Sequence, residues 1–201
     1  MKVVCLCLTT VNRRGWLEMA IKCFLAQHYP DLELLIVDDG SATDLANPEH
    51  RIRVISLIDV VGAKRNFGVE CARDADVIVH WDDDDFSAAG RVSFQVQQLV
   101  ESGKAVHGFH SMQFTDGVHR WLYTSSPMYA LGTSLCYRRW WAIAHPFEPI
   151  QCGQDEQFGD LAIRAGQITT CDAGELMYAT NHANNTSPRN IDLNSASWSV
   201  V

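Results

Sequence analysis

Asp82, Asp83, Asp84 and Asp85 form one unbroken run directly after the apolar stretch Val77-Ile78-Val79-His80-Trp81. Neighbouring carboxylates repel one another, so folding alone gives no reason for them, and the repulsion is relieved when a cation shares the site. Ligands that are all oxygen suit a hard divalent ion, Mg2+ or Mn2+, and such ions often hold substrate phosphates through only one or two protein carboxylates. The run therefore predicts a metal and a phosphorylated substrate. A solvated acidic turn is the plain alternative for any acidic run, and the position after a strand of buried character weighs against it.

Other residues of the same kind are scattered along the chain. Asp38-Asp39-Gly40-Ser41 follows the apolar run Leu34-Leu35-Ile36-Val37, although Asp-Gly is by itself a turn former. Lys64, Arg65 and Asn66 place two cations beside an amide, a pattern equally compatible with a solvated first helical turn. Asp155 and Glu156 stand where a helix is expected to begin, and acids are favoured there on dipole grounds alone. His182 lies in a polar loop and is open to either a ligand role or simple solvation. Trp140 and Trp141 offer faces that suit sugar rings, but adjacent side chains cannot share one face of a regular element, so one of them is expected in the core.

The elements that must position these groups alternate. Val3 to Leu8 reads as a strand, Trp16 to Gln27 carries helical spacing, and Leu34 to Val37 and Val54 to Leu57 repeat the strand signal. A helix over Ala63 to Ala72 and the strand Val77 to Trp81 complete the first half. Strands and helices in alternation imply a mostly parallel sheet covered on both faces, with ligands beyond the carboxyl ends of the strands. Thr9 to Arg13, Asp38 to Ser41 and Asp82 to Asp85 are thereby expected to meet in one site. Arg91 to Val100 reads as a helix. Ala105 to Phe109, Gln113 to Thr115 and Val118 to Tyr123 read as strands, the last two joined as a hairpin at Asp116-Gly117. A helix over Glu156 to Ala165 stopped by Gly166, a late strand over Leu176 to Thr180, and an irregular tail from Asn181 finish the chain.

With 201 residues, 47% of them hydrophobic, the chain fits one α/β domain with a full core. A net charge of -8 argues against general affinity for nucleic acid or anionic membranes. The seven cysteines contain no Cys-x-x-Cys pair and lie mostly in apolar stretches, which points to reduced core residues and a cytoplasmic location. No segment approaches the roughly 20 apolar residues of a membrane span.

Five segments occur in order: Thr9-Thr10-Val11-Asn12-Arg13, Val37-Asp38-Asp39-Gly40-Ser41, Gly62 to Gly68, Trp81-Asp82-Asp83-Asp84-Asp85, and Gly153-Gln154-Asp155-Glu156-Gln157-Phe158. This ordered set resembles the inverting family 2 glycosyltransferases of the GT-A fold, from about residue 3 to residue 166. The resemblance implies a nucleotide-sugar-binding half over residues 1–100, a smaller mixed or antiparallel acceptor half over 101–180, and a tail over 181–201.

It also implies roles. Thr9, Asn12 and Arg13 would line the nucleoside pocket, Asp39 would accept a hydrogen bond from a uracil-type base, and Asp38 would orient that loop. Arg65 and Asn66 would approach the nucleotide. In the family's Asp-x-Asp-Asp pattern, Asp84 becomes the main metal ligand, Asp82 contacts ribose or metal-bound water, and Asp85 supports or shares the Mn2+ or Mg2+. Asp83 is the extra acid and is expected to face solvent. Asp155 would be the base that takes the acceptor's proton, since a carboxylate ionised at neutral pH can do so as the hydroxyl becomes acidic during attack. Gln154 stands where related enzymes carry Glu, which bears on acceptor choice or rate. His182 would reach the metal or the diphosphate. The donor is then a nucleoside diphosphate sugar, UDP-sugar first, and the acceptor a hydroxyl on a glycan, a lipid-linked sugar or another molecule. A sugar nucleotidyltransferase, or a catalytically weak nucleotide-sugar-binding relative, are the alternatives.

Overall fold

The computed structural model describes residues 1–186 and 190–201. Strands β1 (Val3–Leu8), β2 (Leu32–Asp38), β3 (Ile52–Ser56) and β4 (Val77–His80) lie parallel in the order β3-β2-β1-β4. Their continuous apolar runs follow from burial on both faces. Val3, Cys5 and Cys7 point with Leu34, Ile36, Val77 and Val79 toward helices α1 (Arg14–Leu25) and α3 (Arg91–Ser102), while Val4, Leu6, Leu35, Val37 and Ile78 point the other way. That second face is covered by α2 (Val61–Cys71), α4 (Arg139–Ala144) and α5 (Gln154–Arg164). Helix α2 sits close because Gly68 has no Cβ, which would overlap the Leu6 side chain.

Beyond β4 the sheet becomes mixed. β8 (Cys136–Arg138) pairs antiparallel with β4 and with β6 (Val106–Thr115). β6 then carries β7 (Arg120–Thr124) antiparallel and both β9 (Ile168–Asp172) and β10 (Met177–Thr180) parallel, with β10 also holding β5 (Phe86–Ser87). β11 (Trp198–Val200) closes the edge on β7. The architecture is α/β with the parallel half and the mixed half fused in one sheet.

Several elements differ from the sequence expectations. Residues 106–115 are one strand rather than two, and its pairing with β9 is irregular between Phe109 and Ser111. Short β8, α4 and the polar strand β9 were not expected. The tail is not wholly irregular: β11 pairs there, with Trp198 packed on Phe114 and Tyr123. The hairpin at Asp116-Gly117 is present. Its Asp116 carboxylate accepts the His119 and Val118 backbone N–H groups, which hold its pKa down at about 2. Trp141 is core and Trp140 is exposed. Among the described residues no helix is long and apolar enough to cross a membrane.

A buried polar seam runs beneath the mixed half. His107 receives the Gln95 amide at Nδ1 (3.3 Å), leaving Nε2 to donate toward Cys171 Sγ (3.5 Å). Burial, with the Arg91 guanidinium adding to it, pushes the His107 pKa down to about 4. The folded protein therefore keeps this imidazole neutral at pH values where the unfolded chain protonates it. Stability should be full above about pH 6.5 and fall toward pH 4, by about 3 kcal/mol from this residue. Urea denaturation across that range checks it, and His107→Gln should flatten the slope.

Candidate active site

The parallel strands β1, β2 and β4 end side by side, and their outgoing loops are tied together. Thr9 Oγ1 donates to Asp83 Oδ2 (2.6 Å), the Val11 amide donates to Asp39 Oδ2 (2.6 Å), and Lys64 Nζ reaches the Thr9 carbonyl (3.1 Å). Asp38, fully buried, accepts the Gly40 and Ala42 amides and the Ser41 hydroxyl. It folds its own loop, as the sequence suggested. Against these ends lies a cavity of about 400 Å3, bounded by the aspartate run, Lys64 and Arg65 on one side and by Gly132, Gln154 and Asp155 on another.

The aspartate run is answered by an internal cation. Arg13 donates Nε to Asp83 Oδ2 (2.8 Å) and Nη2 to Asp83 Oδ1 (2.6 Å), and Nη2 also reaches Asp84. Asp83 is accordingly not solvent-facing; it is 3% exposed and carries the fork that orders the Arg13 loop. The same Asp84 oxygen accepts from Asn185 Nδ2 (3.0 Å) and His182 Nε2 (3.1 Å). His182 accepts the Asn184 amide at Nδ1 (3.1 Å), so its proton is on Nε2, and its ring stacks on Trp16 at 4.8 Å. Burial, then the neighbouring Asp82 and Asp83 charges, push the Asp84 pKa up against the pull of Arg13. Asp85 is raised further, by burial first and then by Asp84 and Asp82, and its two oxygens are taken by the Thr180 amide (3.0 Å) and the Thr133 hydroxyl. Through these two contacts Asp85 braces the loop while still lining the cavity.

The donor chemistry fits a hard divalent ion in kind. Asp82 keeps a side chain 30% exposed to the cavity, Asp84 lies beside it, and Arg13 marks where positive charge is wanted. Among the described residues no three acidic, histidine or cysteine side chains converge as a ligand set. Such an ion would thus be held by Asp84 and Asp82, with remaining ligands from a diphosphate and water.

Another part of the lining is built at the start of α5. Gly153, at φ +84°, turns the chain into the helix, and the buried Gln154 side chain accepts the Asp155 amide. The Asp155 carboxylate has no hydrogen-bonding or ionic partner among the described residues and rests against Gly132, where a Cβ would overlap it. Arg65 is 5% exposed, with Nη2 3.9 Å from Asp82 Oδ1 and with no acceptor for Nε or Nη1 among the described residues. Cys152, exposed, completes this wall.

Thr9, Arg13, Arg65, Asp82, Asp84, Asp85, Gln154 and Asp155 are thus brought to one cavity. Asn12, Asn66, Asp39 and His182 are not among its lining residues. Asn12 is exposed and supplies the left-handed turn (φ +68°) that reverses the loop. Asn66 is a clamp: its amide donates to the Phe147 carbonyl (2.8 Å) and accepts the Phe147 amide (2.9 Å). Asp39 keeps Oδ1 buried and without a partner among the described residues, while partial desolvation is outweighed by the Val11 amide and neighbouring groups, which hold its pKa down. Sequence reasoning missed Gly132, Thr133 and Asn185, which belong to no acidic or aromatic pattern.

The model of glycosyl transferase family 2 matches residues 5–160, and the chain belongs to that family. No curated protein gives a significant match. Among solved structures, S. aureus TarS 1–349 in complex with UDP-GlcNAc is similar at TM-score 0.76 and 17% identity, over 95% of this chain and 62% of that one. The same fragment in complex with UDP gives TM-score 0.73 and 18% identity over 90% of this chain and 60% of that one. TarS itself gives TM-score 0.73 and 19% identity over 90% of this chain and 37% of TarS. The likeness shows the GT-A fold, and this chain spans less than two thirds of the lengths it matches.

Removing Arg13 would leave Asp83 and Asp84 facing each other in a buried site without their cation. Arg13→Leu should cost about 3 kcal/mol in urea denaturation, and Arg13→Lys should recover only part because an ammonium cannot make the two-pronged contact.

Proposed function

We propose that this protein moves a sugar from a nucleoside diphosphate sugar to a hydroxyl acceptor with inversion at the anomeric carbon, and that the donor is a UDP-sugar. One observation carries this reading: Asp155, a carboxylate with no hydrogen-bonding or ionic partner among the described residues, lines the same cavity as the cationic Arg65 and Lys64 and the aspartate run. Membership of family 2 supports sugar transfer, and the UDP and UDP-GlcNAc complexes of the similarly folded TarS support the donor class.

The chemistry divides between the two walls. Asp155 takes the proton of the acceptor hydroxyl while that oxygen bonds to the anomeric carbon. The bond from that carbon to the diphosphate breaks, and its electron pair leaves with the nucleotide. Attack from the Asp155 side and departure toward the aspartate wall give inversion. Arg65, with unused N–H groups in a desolvated setting, is suited to draw the diphosphate toward that wall. Asp39 Oδ1, buried and without a donor among the described residues, is suited to a base N–H. A bound Mn2+ or Mg2+ at Asp84 and Asp82 would neutralise charge on the departing nucleoside diphosphate. His182, donating to Asp84, holds that carboxylate in place. Seven free thiols support a reducing, cytoplasmic setting.

Asp155→Asn should retain UDP affinity by calorimetry while transfer to acceptor falls by about 100-fold or more. Undiminished transfer in that variant would remove Asp155 as the base. Asp84→Asn should abolish the strengthening of UDP binding by Mn2+. Calorimetric titrations with and without the metal read this directly, and an unchanged metal effect would take Asp84 out of the ligand set.

A further inference from the structure

The short helical turn Gly132–Ser134 touches both acidic sides of the cavity. Gly132 provides the flat surface under the Asp155 carboxylate, and Thr133 donates its hydroxyl to Asp85. The turn's own backbone is held from beneath in an unusual way. Its three consecutive carbonyls are each taken by a different buried side chain: Gly132 O by His80 Nδ1 (2.7 Å), Thr133 O by Arg91 Nη2 (3.2 Å), and Ser134 O by Gln95 Nε2 (2.7 Å).

These side chains form one connected set. Arg91 also binds the His80 carbonyl (2.9 Å), Gln95 Oε1 (3.1 Å) and Ser87 Oγ (2.7 Å), and its guanidinium lies 5.3 Å from the Trp81 ring. His80 donates from Nδ1, so Nε2 is free to accept the Tyr137 hydroxyl (3.3 Å). His80, Arg91, Gln95 and Ser134 are each 0% exposed. A buried guanidinium without a carboxylate partner is costly. Its acceptors include the turn itself, at Thr133 O, and the two other residues that hold the turn, His80 and Gln95. Because β4 leads directly from His80 into the aspartate run, the same residue links the run to the surface under Asp155.

We propose that His80, Arg91 and Gln95 are positioning residues for transfer: by capturing three successive carbonyls they fix the turn 132–134, and through it the placement of Asp155 relative to the aspartate wall. The kinetic consequence rests on the function proposed above; the geometric one does not. A misplacement of about 1 Å at a reacting group can cost about 100-fold in rate.

The test compares His80→Leu, which removes the donor to Gly132, with His80→Asn, which keeps an N–H near the same place. His80→Leu should lower kcat about 100-fold with the UDP Kd within about twofold, and His80→Asn should recover about tenfold of that loss. In the Asp155→Asn background His80→Leu should add little. Crystals of His80→Leu should show residues 132–134 and Asp155 displaced by more than about 0.5 Å while β1 to β4 superimpose. Parallel losses in kcat and UDP affinity, no rescue by Asn, or an unmoved Asp155 would each overturn the proposal. If the wild-type protein releases no nucleoside diphosphate from any UDP-sugar, the function reading fails and the crystal comparison alone decides the turn. Should His80→Leu not fold, Gln95→Met removes the donor to Ser134 O and carries the same expectations.

Discussion

The guanidinium of Arg13 lying across Asp83 and Asp84 is the contact on which the rest of the site depends. Several carboxylates at the end of a buried strand would otherwise face the choice between taking up protons and pushing the loop into water. Arg13 meets Asp83 with both prongs of its fork and opposes the upward shift at Asp84. Its fork also ties the loop after β1 to the loop after β4. Through Nη1 it binds the Asn184 carbonyl (3.0 Å), so the segment after β10 is fastened to the same charge cluster. The burial that makes these contacts strong also raises the thiol of Cys7 just below, first through desolvation and then through Asp83.

The two halves of the sheet contribute differently to the cavity. The parallel half delivers Thr9 and the aspartate run because parallel strands must all end on one side. The mixed half delivers Gly132, Thr133 and Asp155 by a longer route, through a buried turn and the left-handed residue Gly153. β8 joins them, pairing with β4 on one side and β6 on the other. A rigid seam between the two halves is therefore a precondition for any chemistry that needs groups from both.

The parallel half was readable in the sequence because its signals are local. Val3 to Leu8 and Leu34 to Val37 are apolar runs of strand length, and the polar residues after them had to meet once the strands were parallel. The mixed half was not, for identifiable reasons. β8 has three residues, β9 reads Ile-Thr-Thr-Cys-Asp with little apolar signal, and the middle of β6 is interrupted by Gly108 and His110. At the site, the need for a cation beside the aspartates was legible, but a guanidinium from 70 residues upstream as the internal answer was not. That same pairing reversed the expectation for Asp83. The Asn66 clamp on the Phe147 backbone was not legible either, because its partner is 81 residues away and carries no side-chain signature.

Cys152 has a different kind of consequence. Of the seven free thiols, Cys5, Cys7, Cys23 and Cys136 are buried, Cys71 and Cys171 are half-buried, and Cys152 alone is exposed. Burial also pushes the Cys5, Cys7 and Cys136 thiols away from the reactive thiolate form, which leaves them inert to alkylating reagents. The wall beside Asp155 thus comes with a natural attachment point, where a single fluorophore can be installed on the unaltered chain to watch ligands enter and leave.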